Sequence, residues 1–459
     1  MKGVSNLLAR AMLAVCALHC SHALWHAYDK NKKYDESCPA PGTAEFTAEF
    51  HKQTRPISAE NREKWSLFAD VASANDMLTG ESMYGFEEGM EAIWANQHPA
   101  DCSSAKFLVS GGFESGFGSE LHVVGTGLAL AMAMNRVYVM IPDEAGSGIA
   151  DKWNSANRWQ VDTPYCKNQS HTNLECYYMP WTSCPWSEAM RGTDLKKLRS
   201  QGLHIPFNDV QKKLDRPERT IIAHLSPELV DVIPPSLAHL VDCSPIPHDK
   251  RRYWWRSITA AFLVRPNAPT AALIRQHRQD PSMRFDQNNE QCVSVYIRRG
   301  DKHLEMKIID DETKFFDMAK RLWDTLPATG TQQPVMFVGS EDPGVMESAI
   351  RWGAASHWTV RYSDLFDRSA VSTHLNAEQM EKLRQTTGLQ HDQWEYFAMI
   401  LNLDAHIRCS AFVCTMRSNY CRLVDELRAT VGAKANRSYA DLSCGEDCID
   451  SPKTGVDFR

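Results

Sequence analysis

The 459-residue sequence lacks the signatures that announce most enzymatic chemistries. No two aspartates stand at i and i+2, so the Asp-x-Asp pair that offers hard oxygen ligands to a divalent cation is missing. There is no His-Glu-x-x-His, no Gly-x-Ser-x-Gly and no glycine-rich loop ending in Gly-Lys-Ser/Thr. Zinc-peptidase, nucleophile-elbow and phosphate-loop mechanisms therefore lack their residues. Polybasic runs, low-complexity tracts and internal repeats are absent too. With a formal charge of −7, the chain has no evident basic face for nucleic acid. Its N-terminal apolar stretch, Ala11 to Leu24, is broken by His19, Ser21 and His22 and falls short of the roughly 20 residues that span a bilayer.

What is present points to export. Lys2 and Arg10 precede that stretch, and Ser21-His22-Ala23 puts small residues where a signal peptidase reads; a cleaved signal peptide over 1–23 is expected ahead of an uncleaved anchor. Of fourteen cysteines, twelve remain without Cys16 and Cys20, an even set that suggests disulfides in an oxidising compartment. Sequons at Asn168-Gln169-Ser170 and Asn436-Arg437-Ser438 agree. The expected place is the secretory pathway, the Golgi lumen first, with secretion or signal anchoring as the other routes.

Residues 24–57 read as a polar stem and 58–100 as a helical segment. In the latter, Trp65, Phe68 and Ala72 recur at helical spacing, as do Met83, Phe86, Met90, Ile93 and Trp94 after a capping Ser82. A βαβ pattern opens at Lys106 to Ser110, continues through a helix over Ser119 to Met134 and reaches a strand at Val137 to Ile141. A second α/β unit opens at Val293 to Ile297, with a further strand at Val335 to Gly339 and buried segments between 392 and 428. The expectation is an α/β protein with two Rossmann-like domains facing a cleft: 101–280 on the acceptor side, 281–445 for the donor, and a tail at 446–459.

Three clusters sit where open α/β sheets bind ligands, off the carboxyl ends of strands. Ile297-Arg298-Arg299-Gly300-Asp301-Lys302 follows an apolar strand. Successive strand residues face opposite ways, so one arginine faces the cleft while the other braces the loop, with Asp301 as an ion-pair partner. A guanidinium fork suits a leaving diphosphate; a structural salt-bridge cluster is the plain alternative. Gly111 to Gly118 leads a strand into a helix and serves either as an anion cradle or as a tight turn. Ser340-Glu341-Asp342-Pro343 reads as a polar site or as simple helix capping. A fourth stretch, Asp404 to Cys421, places Cys414 and Cys421 around a small loop holding Ser418.

Taken together, these clusters resemble the α1,6-fucosyltransferase family, which adds core fucose to N-glycans. The similarity runs from Asp101 to Lys106 through Gly116 to His122, Trp254-Trp255 and Leu263 to Pro266, and is sharpest at Ile297 to Lys302, Gly339 to Pro343 and Phe412 to Arg422. It implies a GT-B-like fold and an inverting transfer from GDP-β-L-fucose, with no metal or other cofactor, to a glycan or glycoprotein acceptor, by an enzyme that could act as a homodimer. It also implies that Arg298 holds the β-phosphate, supported by Asp301 and Lys302, and that Glu305 is the general base. On the donor side it places Gly116, Phe117, Gly118, Ser119, Tyr296, Arg299, Glu341, Asp342, Asp404, which would read the guanine edge, and Ser418. A Cys414–Cys421 disulfide follows from the resemblance, and a Cys102–Cys166 pairing more loosely. The family has a histidine at the position of Tyr296, and its glycine-loop cysteines, SH3-like domain and coiled-coil stem have no counterpart in this sequence. An acceptor of the protein-hydroxyl or chitin type, or a non-catalytic glycan-binding role, are the other readings.

Overall fold

The computed structural model describes residues 43–54, 57–67, 81–111, 116–142, 173–205, 216–225, 233–242, 251–278, 291–299, 309–326, 333–363, 391–435, 437–444 and 449–450. Three helices lead in: α1 (Ala44–Thr54), α2 (Ala59–Trp65) and α3 (Phe86–Gln97). The α2 helix stops where Ser66 turns left-handed, after burying Trp65; Phe68 and Ala72 lie outside the described residues. The expected start at Ser82 is corrected to Phe86, behind Gly85 at φ 71°. Residues 82–84 are held instead as a strap, since Met83 N–H donates to Ala429 O at 2.7 Å and Trp254 Nε1 to Tyr84 O at 2.7 Å.

Two sheets follow. The first contains β1 (Phe107–Ser110), β2 (Val137–Met140), β3 (His204–Ile205) and β4 (Thr220–Ala223) in the order β2-β1-β4-β3, all parallel. Between β1 and β2 runs α4 (Phe117–Ala133). It is apolar on nearly every side because it is covered by the sheet, by α5 (Arg251–Leu263) and by the last long helix of the chain. A short link at Val264–Asn267 leads from α5 to α6 (Ala268–His277).

The second sheet contains β5 (Val293–Tyr296), β6 (Val335–Gly339), β7 (Thr359–Arg361), β8 (Ala411–Cys414), β9 (Tyr439–Asp441) and β10 (Ile449–Asp450). Its order is β10-β9-β8-β5-β6-β7, parallel except for β10. Its helices are α7 (Thr313–Trp323), α8 (Pro343–Ser356), α9 (His391–Arg408) and α10 (Asn419–Ala429). From β5 the chain steps outward through β6 and β7, then returns to the other flank at β8. That reversal makes the β5/β8 ends a topological switch point, where such sheets bind ligands. The α/β class with two parallel-stranded units is thus observed. The units share one hydrophobic core, because α4, α5 and α10 pack on each other across the junction. No helix among the described residues is long and apolar enough to cross a membrane; the expected signal peptide, both sequon asparagines and most of the stem lie outside them.

Candidate active site

At the end of β5 the two arginines take different jobs. Arg299 is 8% exposed and braces the following loop, with Nη1 donating to Ile309 O at 2.7 Å and Nη2 to Glu312 Oε1 at 2.9 Å. Arg298 points the other way, its side chain 31% exposed, and donates from Nη1 to Glu341 Oε1 at 2.7 Å. The same Oε1 accepts the backbone N–H of Arg299 at 2.6 Å. Glu341 Oε2 is buried without a hydrogen-bond partner, so this carboxylate sets the guanidinium and still has acceptor capacity. Arg299, expected on the donor side, thus braces the loop through Glu312; Asp301, the expected ion-pair partner, lies outside the described residues.

Past the neighbouring ends of β5 and β8, two helix N-termini meet. The α4 helix begins behind Gly116 and α10 behind Ser418, and neither N-cap makes a side-chain capping bond. Their first turns touch. Asn419 Nδ2 donates to Ser119 Oγ in a short bond, and a Cβ on Gly118 would stand 2.5 Å from Asn419 O. Only glycine lets α4 come this close. Tyr296 links the strand end to this corner, stacked at a tilt on Tyr420 with centroids 4.6 Å apart. Burial first, and the Glu341 carboxylate second, push the Tyr296 phenol well above its usual pKa, so it stays protonated. Each N-terminus carries about half a positive charge and unsatisfied N–H groups. Two of them meeting past the ends of β5 and β8 make a corner suited to an anion with several oxygens.

The remaining expected residues separate clearly. Gly118 and Ser119 from the first unit meet Asn419, next to Ser418, from the second, Tyr296 reaches Tyr420 and Arg298 pairs with Glu341, whereas Phe117 packs on Tyr178 and Tyr396. Asp342 does not join them; its Oδ1 caps α8 by accepting the Gly344 N–H at 2.8 Å. Asp404 does not either: it is 3% exposed and bound to Arg278, whose Nε donates to Oδ2 at 2.8 Å. Asp301, Lys302 and Glu305 lie outside the described residues. Asn419 and Tyr420 were missed, although they directly follow the loop that flagged Ser418.

The cysteine expectations change as well. Cys414 and Cys421 are free, buried thiols rather than a disulfide. Burial, and then the neighbouring Cys421, raise the Cys414 thiol well above its normal pKa, which keeps it protonated and inert. Two disulfides join described residues, Cys102–Cys184 and Cys292–Cys409, and Cys176 is disulfide-bonded as well; Cys102 thus pairs with the cysteine just ahead of a short helix (Trp186–Ala189) and not with Cys166.

The fold and this corner define an α/β protein of two parallel-stranded units whose helices α4 and α10 meet at the junction. No protein-family model and no curated protein matches the chain. Among solved structures, the chain is similar to the fucosyltransferase NodZ from Bradyrhizobium at 13% identity, over 76% of this chain and 98% of that one, with a TM-score of 0.38. It is similar to an Arabidopsis thaliana FUT1 mutant bound to GDP at 10% identity, over 87% and 80%, with a TM-score of 0.35. A third is POFUT1 in complex with GDP-fucose, at 12% identity over 71% and 94%, with a TM-score of 0.35. Similarities this distant assign no activity.

Proposed function

We propose that this chain is a glycosyltransferase of the fucosyltransferase type, moving L-fucose from GDP-β-L-fucose to a hydroxyl of an N-glycan core GlcNAc in the secretory pathway. The observation that carries the reading is that Arg298 follows β5 and the α10 N-terminus follows the neighbouring β8, with the first turn of α4 bonded to that of α10. A diphosphate leaving group gains negative charge as the sugar departs. Donors fixed in advance at that point lower the barrier because they need no reorganisation. Arg298, held by Glu341, faces the growing charge, while the first-turn amides behind Gly116 and Ser418 take the other oxygens. The motif order along the sequence adds the choice of fucose and of the acceptor.

The test is a transfer assay on residues 24–459 with GDP-fucose, EDTA and an N-glycan bearing an unmodified chitobiose core. A mass gain of one deoxyhexose on the innermost GlcNAc is the expected result. GDP release without that gain, lost in Arg298→Ala, would keep the donor and replace the acceptor with a protein or chitin-type hydroxyl. GDP binding without turnover would leave a glycan-binding protein.

A further inference from the structure

The first turns of α4 and α10 are joined by a run of hydrogen bonds whose directions can be followed from end to end. It begins at Asp441, the last residue of β9, whose Oδ1 accepts the Met416 N–H at 2.8 Å. The Met416 carbonyl accepts from Arg422 Nε at 2.7 Å, so Arg422, in the first turn of α10, is anchored to the loop behind β8. Its Nη1 donates to Asn419 Oδ1 at 3.0 Å, an i,i+3 contact on the helix. On its other side Asn419 donates from Nδ2 to Ser119 Oγ, in the first turn of α4.

The order of atoms in Asn419 follows from its partners. A guanidinium carries only donors, so the amide atom that meets Arg422 is the oxygen. The atom that meets Ser119 is therefore the NH2 group, which also only donates. Ser119 Oγ accepts that bond, and its own proton points elsewhere; among the described residues the hydroxyl forms no other bond. Ser119 is half-buried where the two helix N-termini meet. We infer that Asn419, oriented by Arg422, is a positioning residue that holds the Ser119 hydroxyl as a donor toward a diphosphate oxygen at this corner. The inference rests on the transferase reading above and adds to it a device that fixes polarity. A serine hydroxyl both donates and accepts, and only its proton favours an anion. Turned the other way, it would set lone pairs against the phosphate. Fixing the donor direction before the ligand arrives spares the reorganisation that a freely rotating hydroxyl costs.

The experiment is calorimetric titration of the whole chain with GDP and with inorganic pyrophosphate, beside melting points and transfer from GDP-fucose. Asn419→Asp is nearly isosteric and keeps an oxygen for Arg422. Its second oxygen accepts, however, so the Ser119 hydroxyl turns to it and is lost to the ligand. The introduced charge repels the diphosphate as well, and the same change in a Ser119→Ala background measures that part alone. Asn419→Asp is expected to weaken both ligands about tenfold more with Ser119 present than in the Ser119→Ala chain. Ser119→Thr keeps a hydroxyl and should keep that excess. A contact that merely clasps α4 to α10 survives Asn419→Asp, and so predicts equal costs in the two backgrounds. Equal costs overturn the inference, and fucose transfer by the same wild-type chain would leave the transferase reading standing. The tenfold excess on pyrophosphate with no fucose transfer keeps the positioning role and removes the fucosyl reading. A wild-type chain that binds neither ligand overturns both.

Discussion

At the scale of single residues, the division of labour between Arg298 and Arg299 follows from strand alternation, and each arginine predicts a different failure. Arg298→Ala removes a partly exposed group whose partner, Glu341, keeps its bond from Arg299 N–H. Its expected cost to the fold is only about 1–3 kcal/mol, whereas turnover should fall by about 10²–10³-fold. Arg298→Lys keeps the charge but loses the planar fork and should recover only part of the activity. Steady-state rates beside denaturation midpoints check both. His406 makes a second prediction. It is wholly buried among Tyr296, Phe337, Phe412 and Tyr420, with neither ring nitrogen hydrogen-bonded. Burial, then the Arg428 charge, hold its pKa down to about 3. The unfolded chain therefore binds a proton at His406 below the usual 6.5 that the folded chain refuses, and stability falls as the pH drops through that window. At pH 5 this amounts to about 2 kcal/mol. Asp425, raised to about 6 mainly by burial, works in the opposite sense between 3.8 and 6, so the wild-type slope alone is ambiguous. Urea midpoints at pH 7 and pH 5 for wild type and His406→Leu isolate it: the variant should lose about 2 kcal/mol less on acidification.

At the scale of elements, legibility followed length and context. The β6 strand was readable to the residue because four buried apolar positions run into Gly-Ser-Glu-Asp-Pro, where strand and helix signals adjoin without ambiguity. The β3, β9 and β10 strands were not, since two or three residues carry too little alternation to stand out. The start of α3 was misplaced because Ser82 fits a cap, while the packing of the Met83–Tyr84 strap against α10 and α5 decided the matter. The glycine corner was legible as a place but not as a partnership: nothing local in Gly116 to Ser119 reveals that α10 arrives there from 300 residues away. Cysteine pairing is equally non-local. Cys292–Cys409 joins the start of β5 to the end of α9 over 117 residues, and its loss in Cys292→Ser should cost about 2–5 kcal/mol. Without reduction, an alkylating probe should reach Cys414 and Cys421 only after unfolding; mass spectrometry of the native and denatured chain reads this directly.

At the scale of the whole molecule, the two units are joined by one continuous interior in which polar groups are paired across the junction. His122 of α4 meets Glu426 of α10 at 2.9 Å, and Tyr253 of α5 donates to Asp425 at 2.5 Å. Both pairs are buried, so the junction is built to stay closed, and its tightest point is Gly118 against the backbone of Asn419. A methyl group at Gly118 would meet carbonyl oxygen and carbon at 2.5 and 2.6 Å, and backbone inside a helix cannot swing aside as a side chain can. The only relief is to move α4 away from α10. Gly118→Ala is therefore expected to lower stability by about 1–3 kcal/mol and to weaken GDP binding, because the two N-termini no longer face one anion. Gly116→Ala is the matched control for stability: its φ is −66° and nothing stands within 4 Å of the added carbon, so its melting point should stay at the wild-type value. Equal melting points for the two variants would mean that α4 and α10 adjust freely, and the corner at Arg298 would then lose the rigidity that preorganised stabilisation of a leaving diphosphate requires.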